Sequence, residues 1–318
     1  MKNNDCYFSC ASYHTNTAFE EMKEFFENQN YFCKSIDKYM LFLFGYMTLH
    51  NGKYQQMEYP FFRHGLIEAN KKLIILGILV KGERVMNKDD LVISVVVPCY
   101  NEINTVEKVV DAIRDCGFKT EIILVDDCST DGTRELIKDK VGKKVDKVLF
   151  HKHNMGKGAA LKHAFAKATG DLVIVQDSDL EYNPKEFEKL VNPFIDSNAD
   201  VVYGSRYSKD GNNYKVDGFY HSLGNKVLTM ASNIFSNLEL TDMETCYKMF
   251  RREVIQSIKI NENRFGFEPE ITAKVTKKGV KIYEVPISYS PRTNEEGKKI
   301  GFKDGVRAIV CIWKYRTA

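Results

Sequence analysis

This sequence of 318 residues lacks several features that mark secreted and membrane-spanning proteins. Its eight cysteines show neither a CxxC pair nor the dense spacing of a disulfide scaffold, so we expect reduced thiols in a cytoplasmic protein. No basic segment followed by an apolar run marks a signal peptide. The most apolar stretches, 39–47 and 73–80, are far shorter than the ~20 residues that cross a bilayer, so we expect no transmembrane helix.

The sequence also lacks a strong charge of either sign and a complete zinc motif. A formal net charge of +3 gives no reason to expect a nucleic-acid partner. Cys6, Cys10 and His14 have metal-like spacing, but they supply only three ligands without the paired knuckles of a structural zinc site. A hydrophobic content of 43% is enough for a sizeable core, which indicates a globular protein.

Residues 1–88 differ in composition from the rest of the chain. They are rich in Phe, Tyr, Asn and Lys, and the apolar residues within 19–26 recur at helical spacing. The charged segment 82–90 has no apolar period, which is typical of a linker. We therefore predict a helical N-terminal appendage of unknown role over 1–88 and a second domain over 89–318.

The second domain alternates apolar runs with helical periods. The runs predict strands at 91–97, 121–125, 145–150, 171–175 and 200–203. Pro98 is expected to end the first strand. Between strands, helical periods appear, as at Val106, Val109, Val110 and Ile113. This alternation predicts an α/β fold with a doubly wound parallel sheet, whose ligand site lies beyond the carboxyl ends of the strands.

Acidic residues follow the fourth predicted strand directly. Asp177 and Asp179 are two residues apart, so in an extended backbone their carboxylates face the same side. Glu181 can add a third carboxylate. Surface loops also contain Asp-x-Asp, and it is the position at a strand end that favours a metal site here. Hard oxygen ligands suit Mg²⁺ or Mn²⁺, which usually keep positions open for water and substrate phosphates.

A second acidic group follows the second predicted strand. A carboxylate at a strand end can accept hydrogen bonds from a ribose or a base, and we favour this role for Asp126 or Asp127 over capping of the next helix. For Asp131 we favour the helix cap.

Two better-known nucleotide motifs are absent. Gly156-Lys157-Gly158 has part of a phosphate loop, but the earlier glycine and the Ser or Thr that binds magnesium are missing. No Gly-x-Gly-x-x-Gly follows the first strand, which argues against a dinucleotide dehydrogenase. The histidines show no His-Glu-x-x-His pairing, so we expect His151, His153 and His163 to be surface or core residues.

Several strings, in their order and spacing, resemble those of the family 2 glycosyltransferases. They are Val97-Pro98-Cys99-Tyr100-Asn101-Glu102, Val125-Asp126-Asp127 with Ser129 and Asp131-Gly132-Thr133, Asn154 with Gly156-Lys157-Gly158, and Gln176-Asp177 with Asp179. Gly204-Ser205-Arg206, Thr241-Asp242-Met243-Glu244-Thr245 and Phe267-Glu268 extend the match, which covers about residues 91–310. Within the family, the sequence is most similar to dolichyl-phosphate mannose synthase and the bacterial polyprenyl-phosphate hexosyltransferases. The resemblance implies a GT-A fold with a mostly parallel sheet.

The resemblance also implies roles for individual residues. The nucleoside pocket and its surroundings would be lined by Pro98, Tyr100, Glu102, Asp126 and Asp127. Lys157 would contribute to donor binding and Arg206 would contact phosphate. Mg²⁺ or Mn²⁺ would be held by Asp177, Asp179 and Glu181, although relatives often have Gln at the last position. Asp242 stands where the family places an acidic residue near the acceptor, and Glu244 is its neighbour.

These roles lead to one expected function and two alternatives. We expect an inverting transferase that moves a hexose from a nucleotide-diphosphate sugar, such as a UDP- or GDP-hexose, to a polyprenyl phosphate. A same-fold transferase acting on a sugar or protein hydroxyl would instead use Asp242 as general base. A sugar-nucleotide-binding scaffold without turnover is disfavoured by the intact set of site residues. The sequence is compatible with a homo-oligomer.

The C-terminal segment suggests contact with a membrane surface. Between 292 and 318, seven Lys or Arg residues face three acidic residues. Lys298 and Lys299 lie in a glycine-flanked stretch of the kind that closes over a diphosphate, and relatives carry a basic loop there. A following helix would present Val306, Ile309, Val310, Ile312 and Trp313 on one side, as a helix lying in a membrane interface does. The alternative is that this helix packs on the sheet.

Overall fold

The computed structural model describes residues 86–207, 219–292 and 302–316. They belong to a compact unit that begins at Val85. The predicted N-terminal appendage, apart from 86–88, lies outside the described residues, and so do Lys298 and Lys299. Within the described ranges, no helix combines the length and the apolar character that a membrane span requires.

A seven-stranded sheet forms the centre of this unit. Its strands are β1 (Val92–Cys99), β2 (Lys119–Asp126), β3 (Lys147–Phe150), β4 (Leu172–Val175), β5 (Val201–Ser205), β6 (Lys248–Arg251) and β7 (Ile282–Pro286). They lie in the order β3-β2-β1-β4-β6-β5-β7. Of these strands, β6 is antiparallel to its neighbours β4 and β5, and the other pairs are parallel. The predicted mostly parallel, doubly wound sheet is confirmed.

Amphipathic helices connect the strands and cover the sheet. They are α1 (Val106–Arg114), α2 (Thr133–Asp139), α3 (Lys157–Phe165), α4 (Phe187–Asp196), α5 (Phe219–Ser236), α6 (Arg252–Gln256), α7 (Phe267–Lys277) and α8 (Phe302–Tyr315). Short 3₁₀ turns occupy Val141–Lys144 and Pro184–Glu186. The apolar face predicted for α1 is confirmed, because all four of its predicted residues are buried. Burial of such faces is the main source of stability in a fold of this kind.

The prediction that Pro98 ends the first strand is wrong, because β1 continues to Cys99 and Pro98 pairs in register with Val125 of β2. The carbonyl of Pro98 accepts a hydrogen bond from the Ser178 hydroxyl, so Pro98 faces the β4 side of the strand. On that side β4 has already ended at Val175. The missing N–H of Pro98 therefore costs no ladder hydrogen bond.

The strands β6 and β7 were missed by sequence reasoning. β6 has four residues and begins with Lys248, which is completely buried. The Lys248 ammonium donates hydrogen bonds to the carbonyls of Met243 and Thr245 and lies 4.7 Å from the ring centroid of Tyr203. These partners compensate its desolvation, which a hydrophobic pattern cannot reveal.

The two glycines around Lys157 are required by close backbone approach. A Cβ atom added to Gly158 would lie 2.2 Å from the carbonyl oxygen of Glu262, and one on Gly156 would lie 2.5 Å from that of Asn263. Gly156 also has a φ of 95°, in the left-handed region that favours glycine. The segment before α7 therefore packs directly on the start of α3. This packing fixes the position of Lys157, the first residue of that helix.

The C-terminal helix α8 packs on the unit through one face and exposes another. Ala308, Cys311, Ile312 and Tyr315 are buried, so the assignment of Ile312 to an exposed apolar face is wrong. Val306, Ile309, Val310 and Trp313 remain exposed as predicted.

Two of the basic residues counted toward a membrane-facing excess are paired within the protein. Arg307 and Lys314 bind the carboxylate of Glu262 at 2.5 and 2.8 Å, and the Tyr315 hydroxyl donates to it at 2.9 Å. Burial works against the Glu262 anion, but these three hydrogen bonds outweigh it and lower its pKa to about 2. The Glu262 carboxylate therefore ties α8 to the segment before α7.

We predict that this anchor is lost in acid. A carboxyl group with a depressed pKa stabilises the folded state above its ordinary value of 4.5, and this contribution disappears as the pH falls toward 2. The Glu262→Gln variant should therefore lose less unfolding free energy than the wild type between pH 4.5 and 2 in denaturant titrations. Glu253→Gln, at an exposed carboxylate, is the control; equal acid sensitivity of the wild type and Glu262→Gln would contradict the anchor.

Candidate active site at the carboxyl edge of the sheet

Polar residues from several elements converge beyond the carboxyl ends of the parallel strands. β1, β2 and β4 end at Cys99, Asp126 and Val175. Because β6 is antiparallel to β4, its first residue, Lys248, lies at the same edge. The loop 241–247 that precedes β6 therefore joins the strand-end loops, as the parallel topology requires.

Carboxylates after β4 lie close enough to repel one another. Asp179 is half-buried; its pKa is raised to about 8 by burial and by the neighbouring Asp177 and Glu181. The Lys157 ammonium lies 3.0 Å from Asp177 Oδ2 and partly compensates the negative charge of this carboxylate. Glu181 is held by the segment after β7, where the Tyr289 hydroxyl and the Arg292 backbone N–H donate to it at 2.8 and 3.0 Å.

These residues fit a divalent cation only in part. Among the described residues, no group of three or more His, Cys, Asp or Glu side chains forms a ready-made metal site. Asp177 and Asp179 supply the hard oxygen atoms and the excess of negative charge that Mg²⁺ and Mn²⁺ prefer. Nucleotide sites commonly hold Mg²⁺ through one or two carboxylates together with substrate phosphates. The pair Asp177 and Asp179 fits that arrangement, whereas both oxygens of Glu181 already have protein partners.

Asp126 and Asp127 organise the loops around them. The buried Asp126 accepts from Arg134 Nε at 2.6 Å and from the Ser129 N–H at 3.2 Å. Asp127, also buried, accepts from the backbone N–H groups of Met155 and Gly156 at 2.8 and 2.7 Å. These contacts fix the loop that leads into α3.

A histidine pair continues from Asp127 toward the surface. His151 Nδ1 lies 2.6 Å from Asp127 Oδ1, and His151 Nε2 lies 2.9 Å from His163 Nδ1. His151 is buried, whereas His153 and His163 are exposed, in line with the surface or core positions predicted. The nucleoside contacts predicted for Asp126 and Asp127 stay predictions, because both carboxylates hold internal partners in this structure.

The loop after β1 is joined to the segment after β7 by an ion pair. Arg292 binds the nearly buried Glu102 through two nitrogen–oxygen contacts of 3.1 and 2.7 Å and donates from Nε to the Asp179 carbonyl at 3.0 Å. Pro98, near the end of β1, and Tyr100, in the loop after it, are half-buried. Arg292 therefore links the predicted nucleoside side of the site to the acidic loop after β4.

The N-cap residue of α2 is Gly132, one residue after the predicted Asp131, but it is the side chain of Asp131 that bonds the first residue of the helix. Its Oδ1 accepts hydrogen bonds from the Thr133 N–H at 3.0 Å and from the Thr133 hydroxyl at 2.5 Å. Thr133 in turn accepts from the Glu102 N–H at 2.9 Å, so the cap also positions the loop after β1.

Lys157 is the cation at the centre of the site. Its ammonium lies 3.0 Å from Asp177, 3.3 Å from Glu268 and 3.0 Å from the Cys246 sulfur. Burial works against the charged form, but Asp177, Cys246 and Glu268 outweigh it and raise the pKa of Lys157. A permanent positive charge therefore sits between the carboxylates after β4 and those at the start of α7.

Asp242 is enclosed by hydrogen-bond donors. Arg206 binds its two oxygens at 2.7 and 2.8 Å, the Arg206 backbone N–H donates at 3.1 Å, and Asn225 donates at 3.0 Å. Burial disfavours the Asp242 anion, but Arg206 outweighs it and the pKa is lowered. A fully bonded carboxylate with a lowered pKa is a poor proton acceptor, so this arrangement does not support Asp242 as a general base.

Glu244 differs sharply from its neighbour. Its Oε1 is buried and, among the described residues, has no hydrogen-bond partner. Its pKa is raised to about 8 by burial and by the charge of Glu268. Sequence reasoning placed Glu244 in the site but could not separate its environment from that of Asp242.

A scan against protein-family models complements this geometry. The model described as glycosyl transferase family 2 matches residues 94–259, just over half of the chain. The chain belongs to this family. The match includes the acidic loops after β2 and β4 and the Arg206–Asp242 pair, and it ends before Glu268.

Curated relatives include three archaeal transferases. Dolichol-phosphate mannosyltransferase of Pyrococcus furiosus is 32% identical over 66% of this chain and 59% of its own length. Glycosyltransferase AglJ of Haloferax volcanii is 27% identical over 71% of this chain and 72% of its own. The low-salt glycan biosynthesis hexosyltransferase Agl6 of the same organism is 27% identical over 68% and 52%. The chain thus spans little more than half the length of the first and third of these proteins.

Solved structures share the fold. Glucosyl-3-phosphoglycerate synthase from Mycobacterium tuberculosis, crystallised with Mn²⁺, UDP and phosphoglyceric acid, matches with a TM-score of 0.57 at 21% identity, over 74% of this chain and 82% of that one. The same enzyme with Mg²⁺ and UDP matches with a TM-score of 0.55 at 21% identity, over 72% and 80%. The predicted GT-A fold is confirmed.

Several site residues were missed by sequence reasoning. Glu268 was noted only as part of a matching string, and Arg292 only in a count of charges, although both touch predicted site residues. Cys246 and Lys248 carried no motif signal beyond their nearness to Glu244. Contacts across long sequence separations, such as 190 residues between Glu102 and Arg292, have no signature in a single sequence.

We predict that Asp242 and Arg206 are energetically coupled. Removing one partner of a buried ion pair leaves an uncompensated charge, so Asp242→Ala should lower the free energy of unfolding by about 3–5 kcal/mol. Arg206→Met in the Asp242→Ala background should recover part of that loss in a double-mutant cycle. Stability unchanged in Asp242→Ala would show that the pair does not organise the site.

Proposed function

We propose that the protein is a hexosyltransferase that takes its sugar from a nucleoside diphosphate donor and transfers it to a polyprenyl phosphate. The observation that carries this proposal is the pair Asp177 and Asp179 at the carboxyl end of β4, where two half-buried carboxyl groups lie beside the cation Lys157. Such a site favours a divalent cation that bridges to phosphate oxygens.

The chain's own residues would divide the work as follows. Mg²⁺ or Mn²⁺ held by Asp177 and Asp179 would neutralise the charge that develops on the departing nucleoside diphosphate. Lys157 keeps its positive charge next to Asp177 and so favours an anionic ligand on that side. Arg206 is held by Asp242 and lies 5.1 Å from the ring centroid of Tyr289, so it presents a second fixed cation.

The state of Asp242 favours a phosphate acceptor over a hydroxyl. A hydroxyl acceptor must lose its proton to a base, whereas a phosphate is already ionised and attacks without one. Asp242 is bonded to four donors and has a lowered pKa, which suits a structural partner of Arg206 better than a base. The relative named dolichol-phosphate mannosyltransferase supports an acceptor of the polyprenyl phosphate class.

An exposed apolar surface supports peripheral contact with a membrane that holds such an acceptor. α5 exposes Leu223, Val227, Met230, Ile234 and Phe235, and α8 exposes Val306, Ile309, Val310 and Trp313. The two helices meet where the rings of Phe235 and Trp313 lie 5.8 Å apart. Exposed apolar residues on adjacent helices, with Lys226 and Arg316 beside them, are typical of a membrane-interface surface.

We predict that turnover requires the carboxylate of Asp179. Asp179→Asn preserves the volume of the side chain but removes the charge that attracts a cation, so it should reduce turnover at least a hundredfold with a Tm close to that of the wild type. The assay is sugar transfer in Mn²⁺ with UDP- and GDP-hexoses. Asp196→Asn, away from the strand-end loops, is the control. Full wild-type turnover in excess EDTA would refute the metal requirement.

We further predict that the apolar surface binds anionic vesicles and brings the enzyme to its acceptor. Met230→Ser with Ile234→Ser changes residues that are 60% and 71% exposed, so it should weaken sedimentation with anionic vesicles and slow transfer to a vesicle-embedded polyprenyl phosphate. Tyr283→Ser, at an exposed position of β7, is the control. Efficient transfer to a soluble sugar hydroxyl, without activity on any polyprenyl phosphate, would favour the hydroxyl-acceptor alternative.

A further inference from the structure

Within the part of the chain that the structure describes, Glu244 differs from the other carboxylates of the site in having a buried oxygen atom without a hydrogen-bond partner. Its buried Oε1 has no hydrogen-bond partner among the described residues, whereas Asp242, two residues earlier, accepts four hydrogen bonds. A buried oxygen without a partner costs folding free energy. A ligand that completes its hydrogen bonds would remove that cost.

The backbone on both sides of Glu244 is fixed by buried groups. The Lys248 ammonium donates to the carbonyls of Met243 and Thr245, which flank Glu244 in the chain. On the other side, the Glu284 carboxylate accepts from the N–H groups of Thr241 and Asp242 at 2.9 and 3.0 Å. The backbone that carries Glu244 is thus fixed before any ligand arrives, which lowers the entropy cost of binding.

The surroundings of Glu244 lie next to the proposed donor phosphates. Lys157 contacts Asp177 on one side and Glu268 on the other, and Glu268 is the charged residue that acts most strongly on Glu244. Arg206 is also near enough to act on Glu244 electrostatically. Glu268 and Lys157 thus link the surroundings of Glu244 to Asp177, so a group attached to a donor diphosphate at Asp177 would lie within reach of this cluster.

The chemistry of the Glu244 carboxyl group selects among possible ligands. Burial and Glu268 favour its neutral form, in which one oxygen donates a hydrogen bond and the other accepts one. A diphosphate offers only acceptors and negative charge, which Glu268 would repel. Neighbouring hydroxyl groups of a hexose each donate and accept, and so they match a neutral carboxyl group.

We propose that the Glu244 carboxyl group hydrogen-bonds hydroxyl groups of the donor's hexosyl ring and determines which hexose is accepted. This proposal rests on the proposed function, because it assigns the sugar part of the same donor. A site built around a hydroxyl group rejects analogues that present it differently, since a buried polar group is then left unpaired. Glu244 is thus a specificity-determining residue, and Asp242 beside it is a structural one.

The test compares Glu244→Ala with Glu244→Gln, which keeps one donor and one acceptor, and with Glu239→Gln at an exposed position. Binding of UDP and GDP, and of UDP-glucose, UDP-galactose and GDP-mannose, is measured by calorimetry in Mn²⁺ for each protein. The wild type identifies the preferred donor. Glu244→Ala should bind the corresponding free nucleoside diphosphate within about twofold of wild type but lose tenfold or more in affinity for the intact donor.

The same variant should lower the kcat/KM preference for the wild-type hexose over its epimer at least tenfold, while Glu244→Gln and Glu239→Gln stay within about threefold. The Tm of free Glu244→Ala should not fall, because an unsatisfied carboxyl group has been removed; a purely structural residue would lower it. Unchanged hexose preference, or equal losses for nucleoside diphosphate and donor, would overturn the role of Glu244 alone. A wild type that binds no nucleoside diphosphate or sugar nucleotide would overturn the proposed function as well.

Discussion

Negative charge gathered at the carboxyl edge of the sheet constrains the other contacts of the site. The parallel strands bring Asp127, Asp177 and Asp179 to one edge, where burial makes their mutual repulsion strong. Groups from distant elements offset it. Lys157 at the start of α3 pairs with Asp177, and Arg292 after β7 acts on Asp179. Backbone N–H groups of the loop before α3 bond Asp127. Gly156 and Gly158 serve the same arrangement, because they allow the segment before α7 to pack on the start of α3, where Lys157 lies.

The negative charge is compensated at some carboxyl groups and not at others. The carboxyl groups without full compensation are the ones to which we assign ligand binding. Both oxygens of Asp242 accept hydrogen bonds from Arg206 or Asn225, and the Arg206 charge compensates its anion. Asp242 therefore has a structural role. Asp179 and Glu244 keep raised pKa values, near 8, because of burial and because their neighbours are other carboxyl groups. One of them follows β4 beside Asp177 and the other precedes β6 beside Glu268. A donor that binds together with a cation and carries a hydroxyl-rich ring would supply partners to Asp179 and Glu244. The free energy of donor binding would then offset the destabilisation that these two groups cause in the folded protein.

The features that could be predicted from the sequence are those that depend on residues near one another in the chain. The buried run of β1 and the apolar face of α1 depend on residues that are close together in the sequence. The pair Asp177 and Asp179 could be recognised from its position directly after a predicted strand. β6 could not be predicted, because the burial of Lys248 depends on the ring of Tyr203 from β5 and on carbonyls of the preceding loop, and a hydrophobic pattern records neither. For the same reason the sequence located Asp127 but not its partners, the backbone of Gly156 and the ring of His151.

Hydrogen exchange with mass spectrometry tests most directly whether this edge of the sheet binds a sugar nucleotide. With Mn²⁺ and either a UDP- or a GDP-hexose added, the account predicts slower exchange in peptides covering 98–104, 126–133, 154–160 and 176–182. Exchange should be unchanged at the opposite edge, in 115–118, 169–171 and 278–281. Protection confined to the opposite edge, or no protection by any donor at millimolar concentration, would contradict it.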